Sequence, residues 1–436
     1  MFFGDIMVSK ILWAVATVFI LTSGIYFTFK LRFVQFNFKN IFKSLFLKSE
    51  RHEKINPIET FLLSLGGRIG VGSIAGIALA IYLGGVGSIF WMWITSILLI
   101  SNSFAETIIG SLYKVKLNDG SYYGGPSYYL TNGLYKKRLG TFYAFIILIS
   151  YIGGFLSIQS NTITKSFNEI IPCSPVIIGL ILSVITFFII FGGLKKIIHV
   201  TNKLVPFMAI IYVGLCLIIM FINVTKIPSV FVLIVKEAFN FKSFIYGFVP
   251  TLIIGLQRGI FSTESGLGTG SIAACATDDS NYIKQGFIQM AGVYISILIC
   301  TLTVFVILLS NSHLVNLQNV NGIEIVQNAF LISFGRMGIY LIFLSIFLFS
   351  FSTIMAGYYY GENSLIFLFK KVGNKTLILK IATIIIIFLG SIIPAQILWD
   401  IADLMVALLS IINIYALIKL RKEIYYYYYQ NYDKIK

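Results

Sequence analysis

The stretch SLGGRIGVGSIAG, Ser64 to Gly76, decides the reading of this chain. It lies inside a long apolar segment, yet it holds five glycines and an arginine. Glycine weakens a helix through its backbone freedom, and a fixed charge is expensive in hydrocarbon. A helix that crosses oil carries such residues only for a purpose.

The chain has 436 residues, 58% of them hydrophobic and only 11% charged. A soluble domain needs polar outer faces, so the bilayer is the solvent that fits this composition. Cys173, Cys216, Cys275 and Cys300 are scattered without metal or redox spacing and read as apolar packing residues. His52, His199 and His313 are far apart, which argues against a metal centre or a nucleophilic triad. No span carries the paired carboxylates, histidine pairs or activated nucleophile of a membrane-embedded enzyme, so no enzyme activity is expected. The first apolar run, Ile11 to Phe29, ends in Lys30 without a small-residue cleavage pattern and reads as a retained anchor.

Apolar runs of membrane length predict about eleven spans, at 8–30, 58–82, 86–113, 142–168, 174–193, 203–223, 243–275, 286–310, 334–358, 376–393 and 397–419. Between the first two, LRFVQFNFKNIFKSLFLKSE alternates Phe and Leu with Lys and reads as an amphipathic helix on the membrane surface. With the N-terminus outside and the C-terminus cytoplasmic, 25 Lys and Arg fall on the inner segments and five on the outer ones. The net charge of +16 then reflects topology and contact with anionic lipid heads, and nucleic acid is not implied.

A second interrupted segment, GLQRGIFSTESGLGTGS from Gly255 to Ser271, repeats the pattern of an arginine followed by glycines and small hydroxyl residues. With the leading span set aside, ten spans form two sets of five, and each interruption falls in the first span of its set. Paired breaks at corresponding positions point to an inverted-repeat transporter with a midplane site. Unwinding frees N–H and C=O groups that cost several kcal/mol each in lipid unless they face a ligand. A half-helix N-terminus suits a carboxylate and freed carbonyls suit sodium, so a zwitterionic amino acid moved with an alkali ion fits. Gly72-Ser-Ile-Ala-Gly76 alone also matches the GxxxG pattern of close helix packing. Gly70-Val-Gly72 is no dinucleotide loop, since no strand precedes it.

At these residues the chain resembles the alanine/glycine:cation symporter family, the sodium:alanine symporters. The matching stretches are GRIGVGSIAGIALAIYLGGVGSIFWMW from Gly67, FAE from Phe104, GGPSYYL from Gly124, QSNTI from Gln159, LVPFMAIIY from Leu204, RGIFSTESGLG from Arg258, QGFIQMAGVYI from Gln285, FSTIMAGYYYGE from Phe351 and ADLMVALLSIIN from Ala402. The resemblance implies an all-α integral membrane protein with a leucine-transporter-like 5+5 inverted repeat and one extra N-terminal helix. Its parts are the extra helix 1–30, an interfacial linker 31–57, the repeats 58–223 and 243–419 separated by an external amphipathic connector 224–242, and a cytoplasmic tail 420–436. It implies uptake of a small neutral amino acid across the cell (inner) membrane coupled to sodium, with the proton as the alternative coupling ion, no other cofactor and a monomer sufficient for function.

The resemblance also assigns residues. The backbone at Gly70, Gly72 and Ser73 is expected to bind the substrate's charged ends, with Gln159, Phe261, Ser262, Gly266 and Gly357 around it. Sodium is expected between Ile69, Gly70, Ser352 and Thr353. Arg68 and Arg258 each cost at least ~2.5–3.5 kcal/mol if isolated at the bilayer centre. Glu106 and Glu264 are their expected partners, in pairs that either gate the site or serve as static structure.

The sequence departs from the family at several points. Ser73 and Val71 stand where asparagine and threonine are usual, and Ser296 where an aspartate is frequent. Thr263, Thr269 and Ser271 replace the usual residues around the second break. Gly357 stands where tryptophan is common, which is expected to open space. Two alternatives follow: a larger neutral amino acid such as glutamine, or an uncoupled facilitator. The tail YYYYYQNYDKIK is expected to be interfacial or disordered.

Overall fold

The computed structural model describes residues 2–46, 55–239, 247–314, 322–369 and 373–435. The described residues are almost entirely helical, with one short antiparallel hairpin pairing Val115–Lys116 with Tyr122–Tyr123. Eight of the described helices are long and apolar enough to cross a membrane. The apolar stripe Ile177, Ile181, Val184 and Phe188 lies exposed along one face of a helix, as lipid contact requires.

The chain begins with α1 (Phe2–Lys30) and a short α2 (Phe38–Phe46). Helix α2 buries Asn40, Ile41 and Ser44 and turns Phe38, Phe42 and Phe46 outward, the amphipathic pattern expected of this linker. Part of that expected stretch, 47–54, lies outside the described residues.

The stretch Ser64–Gly76 is indeed interrupted. Helix α3 (Pro57–Arg68) starts on an Asn56 capping box with Pro57 in its first turn, and stops at Ile69. A single tight turn over Val71–Ser73 follows, and α4 (Ala75–Gly84) resumes. Next come α5 (Ser88–Leu112), α6 (Pro126–Asn132) and α7 (Lys137–Ile147). Helix α7 widens into a π-helical segment, Leu148–Phe155, before α8 (Leu156–Asn168).

Helix α9 (Pro175–Ile190) is followed by α10 (Gly193–Ile222). The latter absorbs residues 194–203, expected as an inner loop, because those residues hold no helix breaker and Lys196 Nζ reaches back to the Phe188 carbonyl, 2.8 Å. Helix α11 (Ile227–Ala238) occupies the expected connector and buries Val230, Ile234 and Ala238 on one face; residues 240–242 lie outside the described residues.

The second interruption separates α12 (Val249–Thr263) from α13 (Thr269–Ala274). Helices α14 (Tyr282–Leu309), α15 (Ile323–Phe334), α16 (Arg336–Phe369), α17 (Gly373–Ile392) and α18 (Ala395–Lys419) complete the bundle. The tyrosine-rich tail is ordered as α19 (Arg421–Ile435). The hydroxyls of Tyr428 and Tyr429 donate to the Leu31 and Lys30 carbonyls, 3.1 and 2.7 Å, and Tyr113 donates to Glu423, 2.6 Å. A tyrosine reads in sequence as an interfacial residue, whereas here its hydroxyl caps the end of α1.

Candidate functional site

At the first break the freed backbone groups find partners on other helices. The Gly66 carbonyl, whose helical partner would be the Gly70 N–H, accepts instead from Thr353 Oγ1 at 2.9 Å and Ser352 Oγ at 3.2 Å. Both hydroxyls also bond back to the Phe349 carbonyl one turn earlier on α16, at 3.1 and 2.8 Å. Four oxygens therefore converge beside the unwound segment. The Val71 N–H donates to Gln159 Oε1, 3.1 Å, so Gln159 reaches the break from α8.

Glycine is required here for closeness. A Cβ on Gly70 would collide with Thr353 Oγ1, and one on Gly72 would stand 2.6 Å from Cδ1 of Phe261. The two broken helices thus touch at Gly72 and Phe261. Ser73 turns its hydroxyl toward the Arg68 carbonyl, 3.4 Å, and its own carbonyl accepts from Thr303, 2.9 Å.

From Phe261 an aromatic column runs through the core. Phe261 stacks on Phe155 (4.6 Å, 9°) and Phe155 on Tyr151 (4.5 Å, 9°), both supplied by the π-helical segment. On its other side Phe261 meets Trp399 at 5.0 Å, and the Arg258 guanidinium lies 4.9 Å over the Trp399 ring. Arg258, Phe261 and Glu264 are three residues apart along α12 and its cap, so one helix face aligns them.

The expected pairing of the arginines with Glu106 and Glu264 is corrected by the structure. Arg258 forms its ion pair with Asp403 of α18. Among the described residues Arg68 makes no ion pair: Nη1 donates to the Gln289 carbonyl at 2.7 Å, and Nη2 donates to Gln289 Oε1 at 3.2 Å and Ser103 at 3.4 Å. The guanidinium lies where Cβ atoms on Gly270 and Gly292 would collide, so those glycines form its slot between α13 and α14. Neutral acceptors thus hold Arg68, with both acids near it through space only.

Glu264 caps α12 in a left-handed conformation, φ 51°. Its carboxylate accepts from Tyr151 at 2.7 Å, Thr269 at 2.9 Å and Tyr360 at 3.4 Å. Gly266 and Gly268 follow at φ 83° and 89°, which only glycine adopts cheaply. Asn413 Nδ2 donates to the Gly266 carbonyl and to Glu106 Oε2, both 2.9 Å, and Tyr143 donates to the Leu267 carbonyl.

Three expected site residues lie differently from their assignment. The Ser262 hydroxyl bonds back to the Arg258 carbonyl, 2.8 Å, and its carbonyl accepts from Ser296, 2.6 Å. Gly266 sits with Asn413, Leu99 and Ile414, away from the Gly72–Phe261 contact. Gly357 opens no space: a Cβ there would stand 2.6 Å from Leu156 and 3.3 Å from Tyr151, so neighbours have filled the room an indole would take. Sequence reasoning missed Gly66, Phe349, Gln289, Asp403 and Asn413. An acid in the apolar α18 was a visible signal for Asp403, because intramembrane acids need partners.

Membrane-length helices and two helices broken face to face, with hydroxyls turned toward freed carbonyls, define a multi-pass membrane transporter. The chain belongs to the sodium:alanine symporter family, whose model matches residues 5–436. It is 37% identical over 427 residues to the "Probable sodium/glutamine symporter GlnT" of Bacillus subtilis (strain 168), covering 97% of this chain and 88% of the relative. It is 36% identical to the "Amino-acid carrier protein AlsT" of the same organism, covering 98% and 91%. It is 31% identical to the "Sodium/alanine symporter AgcS" of Methanococcus maripaludis, covering 92% and 91%.

Proposed function

We propose that the protein couples sodium entry to uptake of a small neutral amino acid, alanine or glycine, by alternating access. The observation that carries this is the cluster of Gly66 O, Phe349 O, Ser352 Oγ and Thr353 Oγ1 beside the first break. Convergent neutral oxygens at unwound backbone suit an alkali ion, and the Ile69 and Gly70 carbonyls complete the proposed set. The substrate sits next to it, its charged ends on the backbone of Gly70, Gly72 and Ser73 and on Gln159. Phe261 walls the apolar side. The close contact of Gly72 with Phe261 favours a short side chain.

The architecture in this reading is the 5+5 inverted repeat, 58–223 and 243–419, behind one extra helix, giving eleven spans in all. The lysine and arginine bias supports an external N-terminus and a cytoplasmic tail. Arg258–Asp403, stacked with Trp399 and Phe261, then lies on the outer side as a gate that parts when substrate enters. Arg68 and its glycine slot lie on the inner side, where α3 and α13 part. A single chain contains the whole site and works as a monomer.

The name of the 37% identical relative favours a second reading, in which glutamine is carried. Purified protein in liposomes tests both. Radiolabelled alanine, glycine and glutamine are supplied outside, with and without an inward sodium gradient. Accumulation of alanine or glycine above equilibrium only with sodium supports the first reading. Preferential glutamine accumulation supports the second, and equilibration without accumulation marks an uncoupled facilitator.

A further inference from the structure

Glu106 belongs neither to the arginine pair nor to the oxygen cluster at the first break, yet it is fully buried in α5. Its Oε2 accepts from the Gly268 N–H at 3.1 Å and from Asn413 Nδ2 at 2.9 Å, whereas Oε1 meets no hydrogen-bond donor among the described residues. The Asn413 amide cannot turn to help, because its Oδ1 accepts from the Tyr129 hydroxyl and its Nδ2 already serves Glu106 and Gly266. A buried carboxylate oxygen that no protein donor meets has given up its hydration without a protein hydrogen bond in exchange.

Glu264 provides the contrast. Three hydroxyls donate to its two oxygens, so neither oxygen of that carboxyl is left without a donor. The charges facing Glu106 are few. Arg68 of α3 is the cation in electrostatic reach, and it is shared with Glu264. Tyr129 of α6 and Tyr143 of α7 are neutral hydroxyls committed to Asn413 and Leu267. Cys275, beyond α13, packs one turn further along α5 at Gly110. One guanidinium beside two acids leaves one negative charge uncompensated, and the acid whose oxygen lacks a donor is the one that holds a proton.

We propose that Glu106 binds a proton at Oε1 while Gly268 and Asn413 hold its other oxygen, and releases it when α13 parts from α5 and water enters. The release step rests on the alternating-access reading above; the binding step rests on the geometry of the buried carboxyl. The proton moves between Oε1 and water, with no other bond made or broken. Since Gly268 caps α13, the same carboxyl reports the position of the second broken helix.

Infrared spectroscopy of the full-length protein in lipid at pH 7, in H2O and D2O, tests the binding step without requiring transport. The expected result is a deuterium-sensitive carboxylic-acid C=O band that is lost in Glu106→Gln and retained in Glu264→Gln. Glu106→Asp, which keeps the carboxyl, is expected to shift that band without abolishing it, and covers the case in which the amide variant fails to fold. A band that survives in Glu106→Gln, or its absence from the wild type, overturns the proposal. Liposomes that do not accumulate alanine, with the infrared result intact, would sink the transport reading and leave the proton site standing.

Discussion

In the first interruption no residue from Ile69 to Ile74 adopts a positive φ, and its glycines serve to bring other helices close. In the second, Glu264, Gly266 and Gly268 all lie at positive φ, and side chains from α5, α7 and α18 hold the loop. The first break is kept open by hydroxyls and an amide on neighbouring helices, groups that an ion or a substrate can displace. The second is fixed by its own dihedrals and by tyrosine, asparagine and glutamate tethers. On the proposed function the first break exchanges partners and the second keeps its shape.

The largest expected effect lies beside the second break. Asp403→Asn leaves Arg258 buried without its counter-charge, and breaking such a pair costs about 3–5 kcal/mol. Thermal unfolding of the purified protein should fall markedly, and adding Arg258→Gln should recover much of the loss. If the double variant is as unstable as the sum of the singles, the two residues are not coupled as described.

Two glycine variants separate the roles of the two breaks. Gly70→Ala forces a Cβ against Thr353 Oγ1, an overpacking cost of about 1–3 kcal/mol that falls on the site itself, so sodium-driven uptake should be lost. Gly268→Ala places a side chain at φ 89° and against Pro126, costing about 1–2 kcal/mol in backbone strain alone. Its expected signature is a lower unfolding temperature with the sodium requirement unchanged. Equal effects of both variants on sodium dependence would erase the distinction between the breaks.

A smaller effect is expected from Thr353→Ala, which removes one of the converging oxygens. A lost ligand worth about 1 kcal/mol should raise the sodium concentration for half-maximal uptake roughly fivefold, without changing the midpoint of unfolding to the same extent. An unchanged sodium requirement would place the ion elsewhere.

The positions of both breaks were legible because glycine runs and an arginine in an apolar segment conflict with a continuous helix. What surrounds them was only partly legible. Gln159 was expected near the break because an amide within a membrane span needs a partner, and its Oε1 accepts from the Val71 N–H. The role of the Gly66 carbonyl left no trace, since every residue carries one. Arg68 was expected to seek an acid, yet its shape is matched by Gln289 and by two glycines far away in sequence. Likewise, the π-helical segment that aims Tyr151 and Phe155 at Phe261 has no composition of its own. Nor could Gly357 be read correctly without Leu156, which closes the space beside it.

In the proposed function ligand and ion bind together where Gly72 faces Phe261, and ligand-induced stabilisation of the purified protein probes that joint binding. Saturating alanine, at about 100 times its dissociation constant, should stabilise the fold by about 2.7 kcal/mol. That gain should appear only when sodium is present, and should vanish in Gly72→Leu, whose side chain fills the contact. Stabilisation by alanine that ignores sodium, or that survives in Gly72→Leu, would rule out joint binding at this contact.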